Sequence, residues 1–311
     1  SGKWNTDRNK LFFLWTQEWV KFRQESTSII TVPSMKMRQG DFSELLEPQN
    51  SFFGRVRTVN DPDTGVPFPN NIIPLSRVSP NGLGFLRGYP EPTPGFLQGT
   101  NNFIQTRPQP TNQRKDTIAI DFVPAEKHTF RFRHQNYSFT QLDAFRGGTD
   151  RAVTDWNRPN KTASLNYIWT VSPTFVNEFL ATASVDRVFI GVQRAGERFA
   201  RSKYGINYPY IFPERKEIFD KIPTIDLPGF ATLDGGPYPA FSSGPIYVIS
   251  NNTTKIHGNH TFKWGVSYER SGQNDFDQIN VTGVPGGTNN QNGRFVFSDT
   301  RAGATSSGVA V

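Results

Sequence analysis

Ile256-His257-Gly258-Asn259-His260-Thr261-Phe262-Lys263-Trp264-Gly265-Val266-Ser267-Tyr268-Glu269-Arg270 is the stretch that decides how the chain is read. From His260 to Tyr268 the side chains alternate without a miss. His260, Phe262, Trp264, Val266 and Tyr268 fall on one side, and Thr261, Lys263, Gly265, Ser267 and Glu269 on the other. Side chains of a β-strand alternate faces with period two, so the strand has one bulky aromatic face and one small or charged face. A soluble sandwich strand would alternate in the same way. The aromatic weight of one face, and the tight turn 256–259 ahead of it, favour a strand with lipid on one side and water on the other.

The same pattern recurs along the chain. Lys10 to Gln24 reads as a first strand, apolar on both faces in its first half, where Leu11, Phe13 and Trp15 alternate with Phe12, Leu14 and Thr16. Such a run is not separable from a helix by periodicity alone, and its aromatic content favours a strand. Arg114 to Val123 places Ile118, Ile120 and Phe122 on one face, turns at Pro124–Lys127, and returns from His128 to Phe139 with Phe130 and Phe132 opposite Thr129, Arg131 and Arg133. Asn160 to Val171 (Ala163, Leu165, Tyr167, Trp169) turns at Ser172-Pro173 into Thr174 to Ile190 (Phe179, Ala181, Ala183, Val185). Pro245 to Lys255 pairs with the opening stretch, and Gly293 to Ser298 begins one more strand. Between these hairpins lie long connections: 26–113, read as irregular and broken by Pro90-Glu91-Pro92-Thr93-Pro94-Gly95, a polar loop at 140–159, then 191–244 and 271–292. One short helix is expected near Ser79–Leu86, with Ser79 as N-cap and Pro80 at the first helical position.

Short and long connections alternate strictly. A sandwich has no reason to sort its loops by length, whereas an asymmetric membrane does. The expected fold is therefore all-β: an antiparallel transmembrane β-barrel segment of roughly eight strands, with short periplasmic turns and long extracellular loops. Hydrophobic residues make up only 35% of the 311 residues while aromatics reach 14%, which suits strands that give every second position to water. No apolar run approaches the ~20 residues of a membrane helix. With no cysteine, disulfides and thiolate metal sites are excluded. The net charge of +7 is scattered, without a basic run, which argues against nucleic acid and is compatible with an anionic lipopolysaccharide surface.

Catalytic motifs are not evident. Asp61-Pro62-Asp63-Thr64-Gly65 resembles a calcium loop, but Val66 and Ile72 occupy its sixth and twelfth positions, so a tight turn is the better reading. His128, His134, His257 and His260 form no HExxH pair, and no GxSxG or phosphate loop occurs. Glu178 and Asp186 share a strand face and invite a glycosidase reading, which lumen-facing polar residues explain without catalysis. Sequons at Asn160, Asn251, Asn252, Asn259 and Asn280 are taken as chance. No catalytic, cofactor or metal residue is assigned. Tyr204, Tyr208, Tyr210, Phe212 and Tyr238 lie among Pro and Gly and are substrate-contact candidates; alternatively they pack the loop against itself. Phe130, Phe132, Tyr167, Trp169, Phe262, Trp264 and Tyr268 are the lipid-facing candidates.

Several motifs carry a resemblance. They are Gly2-Lys3-Trp4-Asn5-Thr6-Asp7 with Lys10-Leu11-Phe12-Phe13, Met37-Arg38-Gln39-Gly40-Asp41-Phe42, Asp61-Pro62-Asp63-Thr64-Gly65 with Pro67-Phe68-Pro69, Asn71-Ile72-Ile73-Pro74 with Arg77 and Ser79-Pro80-Asn81-Gly82, and Gly258-Asn259-His260-Thr261-Phe262-Lys263-Trp264-Gly265-Val266. In this order they resemble the barrel of Oar-like TonB-dependent outer-membrane receptors. The resemblance implies an internal piece of a barrel of about 22 strands. All of 1–311 would be barrel, with plug, TonB box, N-terminal carboxypeptidase-regulatory-like domain and C-terminal strands not represented, and the sheet of such a piece is expected to be open and curved. The start Ser1-Gly2-Lys3-Trp4 does not read as a signal peptide and fits the same expectation. The resemblance also implies transport across the bacterial outer membrane rather than catalysis. Its partners would be outer-membrane lipid and lipopolysaccharide, TonB through the plug, and an unidentified oligosaccharide, peptide or siderophore. The alternatives are a secreted structural or adhesive β-protein and a carbohydrate-active β-enzyme.

Overall fold

The structure, a computed structural model, describes residues 8–50, 52–96, 99–145, 148–193, 198–209, 220–235, 239–276 and 294–298. Its body is a nine-stranded antiparallel sheet. The strands are β1 (Leu11–Phe22), β4 (Thr111–Ala125), β5 (His128–Asp143), β6 (Thr154–Asn157), β7 (Asn160–Ser172), β8 (Phe175–Val192), β10 (Ala240–His257), β11 (His260–Ser271) and β12 (Asn274–Phe276). They occupy seven positions in the order β1-β4-β5-β6-β8-β10-β11, with β7 also lying between β5 and β8 and β12 beside β10.

Two apparent breaks do not change the register. Between β6 and β7, Pro159 has no N–H to give to the ladder. Thr140 faces Asn157 and Tyr137 faces Asn160, three residues further along each strand, so the two segments are one strand. Backbone bonds from Arg158 N to Phe139 O (2.8 Å) and from Arg187 N to Pro159 O (3.2 Å) carry the ladder across. β11 and β12 are likewise one strand, bridged by Gly272 N to Pro245 O at 3.0 Å. Among the described residues β1 pairs only with β4 and β11 only with β10, so the sheet is open, as expected.

Each hairpin expected from sequence is present. Two turns, Glu126-Lys127 and Gly258-Asn259, are shorter than expected, and the third, Pro173-Thr174, falls one residue later than expected; all lie at one end of the sheet. Gly258 takes φ 58, the left-handed conformation that a two-residue hairpin demands and that glycine adopts without a Cβ clash. In β11, Gly265 is required for space: a Cβ there would meet Asn252 Oδ1 at 2.4 Å and Asn251 O at 2.6 Å.

At the other end the long connections are not the irregular loops expected. The β1–β4 ladder runs on above the sheet as β2 (Glu25–Ile30) and β3 (Phe103–Pro108). Phe22 faces Thr111 and Glu25 faces Pro108, so one register extends from Leu11 to Ile30. The helix α1 (Pro80–Gly88) forms where expected, with the Ser79 side chain accepting from Gly82 N. The final strand expected at Gly293–Ser298 is not a wall strand: β13 (Arg294–Val296) lies parallel to β9 (Thr224–Asp226) in the loop layer. That layer has two hydrophobic cores. One gathers Val32, Phe85, Tyr89, Phe103, Phe199 and Ile225, among others, and the second gathers Met37, Phe42, Leu45 and Val59.

Several of the motifs singled out in the sequence acquire physical reasons here. Arg38 donates to Pro33 O, Leu86 O, Tyr89 O and Pro90 O, and Arg151 donates to Gly88 O and Tyr89 O. Two guanidinium groups thus cap the carbonyl end of α1, where the helix leaves acceptors unpaired. The Arg38 guanidinium is buried, which lowers its pKa to about 10. Asp61 forms the expected tight turn, its carboxylate accepting from Asp63 N at 2.9 Å, and Arg77 clamps both Asp61 and Asp63. Asn71 is buried with φ 57; its Oδ1 accepts from Val59 N at 2.9 Å and its amide donates to Arg57 O and Phe42 O.

Asn71→Ala removes three hydrogen bonds and places a Cβ-bearing residue without a local side-chain bond at positive φ. Opening of this half of the loop layer should become about 3 kcal/mol easier. Hydrogen exchange at the Val59 and Phe42 amides should then accelerate roughly a hundredfold, while the wall strands keep their protection. Unchanged exchange at Val59 would show that Asn71 does not hold the layer.

Candidate functional site

Directly paired residues in an antiparallel sheet project to the same side, so the register sorts every wall side chain onto a face. One row reads Leu11, Phe122, Phe130, Tyr167, Phe179, Asn251 and Val266, and the next Phe13, Ile120, Phe132, Leu165, Ala181, Ile249 and Tyr268. All seven lipid-facing candidates, Phe130, Phe132, Tyr167, Trp169, Phe262, Trp264 and Tyr268, share this apolar face. Trp264 and Tyr268 are 54% and 64% exposed, large apolar surfaces with no protein covering them. Towards the turns the face becomes a belt of rings: Phe130 stacks on Tyr167 at 4.6 Å between centroids, His128 on Tyr167 and Trp169, and Phe175 on Trp264. His128 Nδ1 also lies 2.8 Å from the Tyr167 hydroxyl, so the phenol meets a partner at its polar tip.

Sequence reading missed the polar residues on this face. Asn177, Asn251 and Thr253 lie among the rings, and they satisfy one another. Asn177 Nδ2 donates to Asn251 Oδ1 and Thr253 Oγ1, both at 2.8 Å, and Asn251 Nδ2 returns a bond to Asn177 Oδ1 at 3.1 Å. A closed ring of bonds is what allows amides to lie beside lipid. The three residues come from two strands, so no local signal marks them.

The opposite face is richer in polar residues, although Phe12, Leu14, Ile168, Leu180 and Val248 also lie on it. It carries Thr117, Asp121, Arg133, Gln135, Thr162, Ser164, Asn166, Glu178, Thr182, Ser184, Lys263 and Glu269. Arg133 pairs with Asp121 at 2.6 Å, and Glu178 accepts from Asn166 Nδ2 at 2.6 Å. Glu178 and Asp186 are eight residues apart on one strand, ~26 Å at the strand rise. Glycosidase carboxylates sit within ~10 Å of each other, so these two do not form such a pair. Towards the loop end, Gln135, Tyr137, Phe139, Arg158, Asn160 and Asp186 line a cleft of 410 Å³. A smaller groove of 190 Å³ beside it is lined by Glu18, Val20, Gln113, Lys115 and again Tyr137.

Above the wall, the described loop aromatics are packing residues. Tyr204 is 8% exposed and its hydroxyl donates to Arg198 O at 2.7 Å; Tyr208 packs edge-on against Phe85 and Phe295. A side chain closed off as Tyr204 is presents no surface to a ligand. Tyr210, Phe212 and Tyr238 lie outside the described residues. Charged residues join the loops at depth. Buried Asp150 takes Arg107 at 3.0 Å and also Arg198, tying β3 to the connection after β8. Lys221 is fully buried; desolvation lowers its pKa from 10.5 to about 7, opposed in part by the Asp234 carboxylate.

Residues 7–310 match the family model described as outer membrane beta barrel domain. The match spans nearly the whole chain, and the chain belongs to that family: it is a β-barrel wall of the bacterial outer membrane. No curated protein and no solved structure matches it. In this class short turns face the periplasm and long loops the exterior. The turn end at Glu126-Lys127, Pro173-Thr174 and Gly258-Asn259 is therefore periplasmic, the apolar face meets lipid and the polar face lines the lumen.

Brominated lipid should quench the fluorescence of the protein in bilayers. Trp264→Phe should remove part of that quenching, whereas Trp156→Phe, on the lumen face, should leave it intact. The reverse result would invert the two faces. The loop layer should also respond to pH. Between about 7 and 10.5 the opened layer holds a proton on Lys221 that the closed layer has released, so closure grows more favourable as pH rises through that window. Exchange of the Ile222 and Ile225 amides, corrected for intrinsic rate, should slow accordingly. Lys221→Met should lose this slope; a slope unchanged in that variant would assign it to another group.

Proposed function

We propose that this wall belongs to a TonB-dependent receptor of the Oar-like kind, which takes up a large or scarce substrate without itself catalysing a reaction. What carries the reading is the exterior: the long connections form a packed layer with two hydrophobic cores, a buried carboxylate paired with two arginines and capped backbone. A general diffusion pore needs no such ordering, because its selectivity is set by lumen width. A receptor that selects among scarce solutes gains from ordered loops, since rigid binding groups lose less entropy on capture. Of the ordered motifs that resemble Oar-like receptors, those at 37–42, 61–69 and 71–82 fall within this layer and the last lies at the final turn; among their residues are Arg38 at the end of α1, the Asp61–Arg77 clamp and Gly258 of the 258–259 hairpin. In this reading energy reaches the lumen through a plug that contacts TonB, and the wall strands supply a rigid housing.

The test is made on the protein extracted from outer membranes. Its periplasmic side should retain the periplasmic domain of TonB, and in planar bilayers the protein should stay closed. Steady open conductance without TonB retention would replace the receptor by a pore.

A further inference from the structure

The lumen face mixes polar side chains with apolar ones such as Phe12, Leu14, Leu180 and Val248, and two of its aromatics stand together at the loop end. Tyr137 and Phe139 stand two residues apart on β5, ~7 Å along the strand. The register places Asn160 opposite Tyr137 and Asp186 opposite Asn160. Gly244, opposite Asp186 on β10, contributes no side chain, so that flank stays open. Arg158 leans on the ring of Trp156, 4.9 Å from its centroid. The resulting volume of 410 Å³ lies in the ~300–1,000 Å³ range of small-molecule sites. Among the described residues, the side chains of Gln135, Tyr137, Asn160 and Asp186 make no hydrogen bond or ion pair to another protein group, unlike Arg133, Asp121, Asn166 and Glu178 lower on the same face.

We propose that this cleft binds a neutral oligosaccharide. Ring faces of Tyr137 and Phe139 match the C–H faces of pyranoses. The amides of Gln135 and Asn160, the Asp186 carboxylate and the Arg158 guanidinium offer planar, two-atom donor and acceptor edges, which suit vicinal hydroxyls. Charge balances locally, Arg158 against Asp186 and Lys115 against Glu18, so the cleft lacks the cation excess that a phosphate or a carboxylate-rich chelate would require. Peptides bind sheets by adding a strand at an edge, and this cleft opens on a face. The adjoining groove of 190 Å³ shares Tyr137, which extends the site across β4 to β1 and favours a chain of sugars over a single ring. The proposal rests on the chain being a barrel wall with a lumen, not on how uptake is energised.

Calorimetry on the protein purified from outer membranes would use neutral oligosaccharides derived from starch, cellulose, laminarin and chitin. At least one should bind. Tyr137→Ala and Asp186→Asn should each weaken it by about tenfold or more, and Tyr268→Ala on the lipid face should leave it unchanged. Heat-modifiable gel mobility establishes that each variant is folded, and if Tyr137→Ala is not, Asp186→Asn decides. Absence of binding by every oligosaccharide, or binding unaffected in the folded variants, overturns the proposal. TonB retention is measured separately, so sugar binding without it would overturn the receptor reading and leave the cleft assigned.

Discussion

Hydrocarbon offers no partner to a peptide N–H or C=O, and everything in this wall follows from that constraint. The ladder must stay intact wherever lipid touches it. Pro159, which withholds a donor, is placed where β6 and β7 keep one register, and the backbone bonds of Arg158 and Arg187 close around it. Side chains obey the same rule. Asn177, Asn251 and Thr253 sit among aromatic rings only because each finds its bond in another.

A fixed register divides the two faces, and that division is what gives the wall a function. Because partners across an antiparallel pair share a side, a slip of β5 by one residue against its neighbours would carry Phe132 into the lumen and Arg133 into lipid. An arginine in lipid costs ~2–4 kcal/mol near the midplane, so the penalty of a slip multiplies along each strand. The same rigidity continues outward. The β1–β4 ladder extends into β2–β3 without a change of register, which gives the loop layer a stiff mast to pack against.

The wall was legible because lipid imposes a period of two on every strand, a local and repeated signal. His260 to Tyr268 shows it in nine residues. The loop layer was illegible for the opposite reason. Its Pro- and Gly-rich segments have no period, and its order comes from distant pairs: Asn71 with Val59 and Phe42, Arg38 with the end of α1, Asp150 with Arg107 and Arg198. Only the Ser79-Pro80 helix start and the Asp61–Gly65 turn, whose bonds are local, could be read there. Tyr204 shows the limit. An aromatic among glycines looks available for a ligand, and only the fold shows its ring buried and its hydroxyl bonded to Arg198 O.

The lumen cleft lies between these two regimes. Its residues come from strands whose faces the sequence assigns correctly, so Tyr137, Asn160 and Asp186 could each be placed in the lumen. Their convergence depends on pairings that alternation does not contain. Tyr137 meets Asn160 because the β5–β7 register continues across Pro159, and Asn160 meets Asp186 because β7 and β8 close at Pro173-Thr174 and the register then shifts by one between Ser172 and Thr170. The backbone demand that excludes irregular structure from lipid thus also fixes which polar groups stand side by side on the lumen wall. A cleft built this way is as rigid as the wall itself, and binding there needs little of the ordering that a mobile loop would require.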